Sequence, residues 1–163
     1  MIAHPIPPVW NRDSRVLILG SFPSVRSRET GFFYGHPQNR FWRVLAALWE
    51  ESAPAEVEEK IAFLHRHRLA LWDVIASCEI TGSADSSIRH AVPTDITPIL
   101  RGADIRCILT NGTSAASLFQ KYQARAAGDI PHITLPSTSP ANAAWRMDRL
   151  TEVWQVIRTY TDE

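Results

Sequence analysis

The chain has 163 residues, 45% of them hydrophobic and 21% charged, with 11 Pro, 7 Gly and 6 Trp, which is the size and composition of one compact domain covering residues 1–163. Its 17 Lys and Arg balance 17 Asp and Glu. That balance excludes a polybasic nucleic-acid tail and an acidic disordered segment, so any polyanionic partner has to be met by local charge. Among the cations only Lys60 and Lys121 are lysines; the rest are arginines, the residue suited to bidentate phosphate contacts. Cys78 and Cys107 lack CxxC spacing, which excludes a zinc ribbon and points to a reducing cytoplasm rather than a disulfide framework. No apolar run approaches the roughly 20 residues of a membrane span. Residues 1–8 lack the charged and apolar regions of a signal peptide.

In chain order, residues 15–20 form a short apolar run closed by Gly20, the pattern of a strand buried on both faces. An irregular stretch follows. Phe41, Val44, Leu45, Leu48 and Trp49 then recur at the spacing of one apolar helical face. A second helix starts at Pro54 and places Val57, Ile61 and Leu64 on one side, with acid early and base late as the helix dipole prefers, which reads as a surface helix. Residues 69–75 read as the next strand, running into a polar loop over residues 77–89. Thr94 or Asp95 caps a short helix through Leu100. Residues 105–110 form a third strand, residues 114–122 a helix, residues 132–135 a fourth strand, and residues 147–157 a last amphipathic helix. Strands alternating with helices predict an α/β protein, a three-layer α/β/α arrangement around a central, mostly parallel four-stranded sheet.

Ligands of such sheets bind beyond the carboxyl ends of the strands. The segments expected there are the loop from Gly20, residues 73–87, Asn111-Gly112 and residues 136–142. The first loop combines Gly20, Pro23, Gly31, Gly35 and Pro37 with Phe22, Phe32, Phe33 and Tyr34, so stacking faces and tight turns occur together, as a flat heteroaromatic base requires. The same rings serve equally well as a cover for the sheet. Asn39 precedes a helix and suits its N-cap; Asp73 ends a strand and suits a turn; His36 is a loop acid or base beside Pro37. In residues 136–142, Ser and Asn side chains suit phosphate and a small rigid tip suits insertion into a duplex.

Other chemistries fail on pattern. There is no G-x-S-x-G turn and no nucleophilic cysteine setting. The histidines at 4, 36, 65, 67, 90 and 132 lack an H-E-x-x-H arrangement, and the loop after the first strand has no G-x-G-x-x-G. Neither a metal nor a nicotinamide cofactor is expected.

Gly20-Ser-Phe-Pro-Ser24, Gly31-Phe-Phe-Tyr-Gly-His-Pro-Gln-Asn-Arg-Phe-Trp42 and Ser137-Thr-Ser-Pro-Ala-Asn142 together resemble the uracil-DNA glycosylase superfamily, in particular its hypoxanthine-DNA (deoxyinosine) glycosylase branch. The resemblance covers nearly the whole chain. It implies a monomeric enzyme that everts a deaminated base from DNA and hydrolyses the N-glycosidic bond with no metal or cofactor. By position, Tyr34 matches the stacking aromatic, backbone around Ser21 and Phe22 faces the base edge, and Asp73 falls near a residue that reads it. Ser137 stands where other branches carry His or Asn to stabilise the departing base. Ser139, Pro140, Ala141 and Asn142 match the loop that enters the duplex, and Arg26, Arg28, Arg40 and Arg43 are candidates for phosphate. Phe22 replaces the polar residue that elsewhere orients water; the resemblance transfers that role to Asn39, whose carbonyl oxygen would accept a hydrogen bond from the attacking water. A uracil glycosylase and a noncatalytic nucleotide-binding module are the alternatives.

Overall fold

The computed structural model describes residues 1–162. Its centre is β2 (Val16–Gly20), every residue of which is buried. Side chains alternate across a strand, so Val16 and Ile18 enter one hydrophobic cluster and Leu17 and Leu19 the other. On one side of β2 lies β3 (Leu69–Asp73), on the other β6 (Cys107–Asn111) and then β7 (His132–Leu135), giving the order β3-β2-β6-β7. All three pairings are parallel, in agreement with the expected sheet.

One face is covered by α2 (Phe41–Leu48), α3 (Val57–Arg66), α7 (Met147–Trp154) and α8 (Val156–Thr161), which bring Phe41, Leu45, Phe63, Leu64, Trp154 and Ile157 onto it. The last two helices replace the single helix expected over residues 147–157. The other face carries α4 (Thr97–Gly102), α5 (Thr113–Tyr122) and α6 (Ala124–Ala127). The N-cap of the first of these is Ile96, not Thr94 or Asp95, although Asp95 Oδ1 accepts from Thr97 N at 3.0 Å.

That second layer also holds a small sheet not foreseen from the sequence. β1 (Ile2–Ala3), β4 (Ile75–Glu79) and β5 (Arg89–Pro93) pair antiparallel in the order β1-β4-β5. The strand expected over residues 69–75 therefore ends at Asp73, and the chain restarts at Ile75 in a different sheet. Val74 N donates to Gly20 O at 2.8 Å and Ile75 N to Ser21 O at 3.1 Å, which bends the chain across the end of β2. The loop expected over residues 77–89 is correspondingly shorter and contains a 3₁₀ turn at Asp85–Ser87. A further helix, α1 (Val25–Thr30), lies in the stretch read as irregular. Ser24 caps it by accepting from Ser27 N at 3.1 Å, and Gly31 ends it in the left-handed region at φ 80°.

Candidate active site

The carboxyl ends of β2, β3 and β6 and the loop after β7 close around a cavity of about 390 Å³, within the roughly 300–1,000 Å³ usual for small-molecule sites. Ser21, Phe22, Tyr34, Asn39, Asp73, Ser137, Ser139, Pro140 and Ala141 all line it. Asn142, Arg26 and Arg40 stand outside the lining.

Tyr34 reaches the cavity through an unusual backbone. Its φ of 53° lies in the left-handed region, which costs an L residue on the order of 1–2 kcal/mol. Its ring stacks on Phe41 with centroids 4.0 Å apart and planes at 18°. Phe41 is fixed in the core, so it backs Tyr34 like a rigid plate. The phenol oxygen is buried and makes no well-formed hydrogen bond among the described residues, although the Asn111 side chain lies near enough to oppose its pKa rise. Burial, with the Asp73 charge adding to it, pushes the phenol far above its usual ionisation range.

Asp73, 4% exposed, ends β3 at the cavity floor. Its Oδ2 lies 2.7 Å from His4 Nε2, while His4 Nδ1 accepts from Ile6 N at 3.1 Å. An imidazole nitrogen that accepts from a backbone N–H carries no proton, so Nε2 is the protonated nitrogen and donates to the carboxylate. Gly20 permits this packing: a Cβ there would stand 2.5 Å from Asp73 Oδ1 and 2.8 Å from the Tyr34 oxygen.

A second carboxylate, Asp85, accepts from Ser21 Oγ at 2.8 Å. Burial raises its pKa, the Ser21 hydrogen bond works against that rise, and the negative charge of Asp73 reinforces it. Asp85, His4, Asn111 and Thr138 were not singled out by sequence reasoning. Asp85, Asn111 and Thr138 lay in segments expected at this rim and His4 did not; the contacts of His4, Asp85 and Thr138 with Asp73, Ser21 and Asn39 join residues 64 or more positions apart, with no local signature.

Asn39 sits at the entry to α2. The N-cap position is Arg40, one residue later than expected, yet Asn39 Oδ1 still accepts from Phe41 N at 2.9 Å and also from Thr138 Oγ1 at 2.9 Å. Both lone pairs of the oxygen expected to hold water are thus engaged. His36 lines the cavity from an exposed position, with Nδ1 accepting from Gln38 N.

The last loop is knitted to itself and to α2. Ser137 Oγ accepts from Ser139 N at 3.1 Å, Ser139 Oγ from Ala141 N at 3.2 Å, and Asn142 Nδ2 donates to Ser137 O at 2.9 Å. Pro140 and Ala141 are exposed at its tip. The Arg40 guanidinium, considered above for phosphate, points inward: it donates to the carbonyls of Ser139, Asn142, Trp145 and Thr138. Arg28 donates to Gly82 O at 2.7 Å and lies over the Phe22 ring, whereas Arg26 and Arg43 are exposed. Among the described residues no group of three or more His, Cys, Asp or Glu side chains is placed to hold a metal ion, and no helix is long and apolar enough to cross a membrane.

The family described as the uracil DNA glycosylase superfamily matches residues 7–159. The chain belongs to that superfamily. Among curated relatives of this glycosylase superfamily, a hypoxanthine DNA glycosylase of Methanosarcina acetivorans is 32% identical over 160 residues, covering 96% of this chain and 98% of the relative. A hypoxanthine DNA glycosylase of Methanosarcina barkeri is 34% identical over 84 residues, 51% of this chain and 53% of that one. The solution NMR structure of a Methanosarcina acetivorans protein, provisionally named a uracil DNA glycosylase, superposes with a TM-score of 0.83 at 31% identity, covering 98% of this chain and 99% of that one.

Proposed function

We propose that this superfamily member is a DNA-repair glycosylase that everts a deaminated base, hypoxanthine in deoxyinosine, and hydrolyses its N-glycosidic bond to leave an abasic site. The observation that carries this reading is that Tyr34, Asn39 and Asp73, drawn from three separate segments, open into one cavity. The near full-length relative bearing the hypoxanthine name supports the choice of base.

The everted purine exchanges its lost stacking for the face of Tyr34, held rigid by Phe41. Hypoxanthine presents a ring N–H beside a carbonyl. The Asp73 carboxylate, oriented by His4, accepts that N–H; adenine has none at this position and would leave the buried acceptor unpaired. Uracil offers a comparable N–H, so Asp73 alone does not separate the two. Cleavage passes through an oxocarbenium-like sugar: the C1′–N9 bond breaks with its electron pair moving to the purine, water adds to C1′, and the proton water loses balances the one the departing hypoxanthine takes up from solvent. Asn39 acts as an uncharged amide held beside this centre, and Ser137 lies near the departing base. Pro140 and Ala141 face the gap left in the duplex, with Ser139 and Asn142 shaping that loop and Arg26 meeting phosphate. The protein works as a monomer on DNA in the cytoplasm, where the unpaired buried Cys78 and Cys107 stay reduced.

The test is incubation with duplexes carrying one inosine, one uracil or neither, followed by alkaline cleavage of abasic sites. Breaks at inosine alone support the assignment. Breaks at uracil alone move the substrate to the pyrimidine, and base binding without breaks makes the chain a noncatalytic module.

A further inference from the structure

Two backbone N–H groups, whose polarity cannot change, decide the orientation of every group in a chain of side chains at the cavity wall. Thr138 N donates to Asn111 Oδ1 at 3.0 Å, so the other end of that amide, Nδ2, is the end that faces the Thr138 hydroxyl. It does so at 3.0 Å. The hydroxyl oxygen therefore accepts from Asn111, and its single proton is directed to Asn39, whose Oδ1 lies 2.9 Å away. From the opposite side Phe41 N–H, at 2.9 Å, demands an acceptor at the same atom. An amide oxygen has two lone pairs, and both are engaged. The end of Asn39 left for a ligand is its NH₂.

We propose that Thr138 is a positioning residue that locks the Asn39 amide with its NH₂ group toward the cavity, so that Asn39 acts as a hydrogen-bond donor to the departing purine and not as an acceptor for the attacking water. This rests on the glycosylase reading above. As the C1′–N9 bond breaks, its electron pair spreads over the purine ring nitrogens and carbonyl oxygen, all of them acceptors. A donor fixed in advance near that charge stabilises the transition state without having to reorganise. Thr138 is suited to the task because it is fully buried and its carbonyl is gripped by Arg40, whose N–H donates to it at 3.1 Å. Its hydroxyl thus has a fixed origin. The alternative flip of Asn39 would set NH₂ against the fixed Phe41 N–H, a clash of like polarity in a half-buried site, and would turn the Thr138 hydroxyl proton away from the only acceptor it has among the described residues.

Thr138→Val keeps the shape and removes the hydroxyl, while Thr138→Ser keeps the hydroxyl. Single-turnover excision from an inosine duplex, duplex affinity, thermal midpoint and the side-chain amide resonances of Asn39, assigned by their disappearance in Asn39→Asp, are measured for each. Thr138→Val is expected to slow excision about 10–100-fold, the loss typical of a misplaced reacting group, with affinity changed by less than about threefold and the Asn39 amide resonances shifted. Thr138→Ser restores both rate and resonances. Should Thr138→Val fold poorly, Asn39→Asp decides: aspartate still accepts from Phe41 N–H and Thr138 but has no NH₂, so it should lose excision as fully as Asn39→Ala. Near-normal excision by folded Thr138→Val or by Asn39→Asp overturns the proposal. If the wild type cuts neither inosine nor uracil, the glycosylase reading falls; the Asn39 resonances then decide the Thr138 lock separately, and unchanged resonances in Thr138→Val overturn it.

Discussion

His4 Nε2 and Asp73 Oδ2 lie 2.7 Å apart, with side chains only 4% and 5% exposed, so an imidazole from the first residues of the chain fixes the carboxylate at the floor of the base pocket. Because His4 Nδ1 is committed to Ile6 N, the ring has one way to face Asp73. His4→Ala removes the donor and leaves a buried carboxylate unsatisfied, which destabilises by about 1.5–3 kcal/mol, the range for hydrogen bonds to charged groups. Urea unfolding without DNA measures this. A change under about 0.5 kcal/mol, the scale of an ordinary surface substitution, would mean that Asp73 has another source of support.

Gly20→Ala tests how tightly the floor is built. The new methyl would stand 2.5 Å from Asp73 Oδ1 and 2.8 Å from the Tyr34 oxygen, closer than real contacts allow, and neither neighbour is free to leave: Asp73 is tied to His4 and Tyr34 is stacked on Phe41. The expected result is a folded protein whose affinity for an inosine-containing duplex falls toward its affinity for unmodified duplex, measured by fluorescence anisotropy. Retained discrimination would show that the base does not use this floor.

The parallel sheet was legible because residues 15–20 are apolar on both faces, which only a central strand tolerates, and because Gly20 and Asn111-Gly112 punctuate strand ends. The rim that carries Tyr34, Asn39 and Ser137 followed from the same pattern. The small antiparallel sheet was not legible: β1 has two residues, β4 joins it only because the end of β2 bends the chain at Val74, and no periodicity marks that change. Asp85 looked like one more polar residue in a loop; its meaning comes from Ser21, 64 positions away. For Asn39, capping and catalysis stood as rival readings; the N-cap falls instead on Arg40, while the Asn39 oxygen is taken by Phe41 N and Thr138 Oγ1, contacts that no local pattern announces.

Asp85→Asn should stabilise the protein at neutral pH. Burial raises the Asp85 pKa above its unfolded value, so folding favours the protonated acid. The contribution is fully present below the unfolded pKa and is lost as pH rises through the folded one. Above that folded pKa the wild type holds a partly buried, charged carboxylate that burial and the Asp73 charge both disfavour, which asparagine relieves while still accepting from Ser21. Thermal midpoints measured from pH 3.5 to pH 7.5 should therefore diverge upward in pH, the variant being the more stable at the neutral end. Curves that converge toward neutrality would reverse the sign and remove the carboxylate repulsion from the account.

Arg40 distinguishes a loop clamp from a phosphate contact. Its guanidinium donates to Ser139 O at 2.9 Å and Asn142 O at 3.2 Å, with Trp145 O and Thr138 O completing the set, so four of its five N–H donors are directed at the loop. A residue that neutralises a phosphate contributes about 0.9 to the slope of log affinity against log salt. Arg40→Ala should weaken duplex binding and raise hydrogen exchange across residues 138–145, yet leave that slope nearly unchanged. Arg26→Ala, at an exposed cation beside the cavity, should lower the slope by about one without altering exchange in the loop. If the slope instead falls for Arg40→Ala while the loop stays protected, the guanidinium must swing outward when DNA binds, and the clamp belongs to the unbound protein alone.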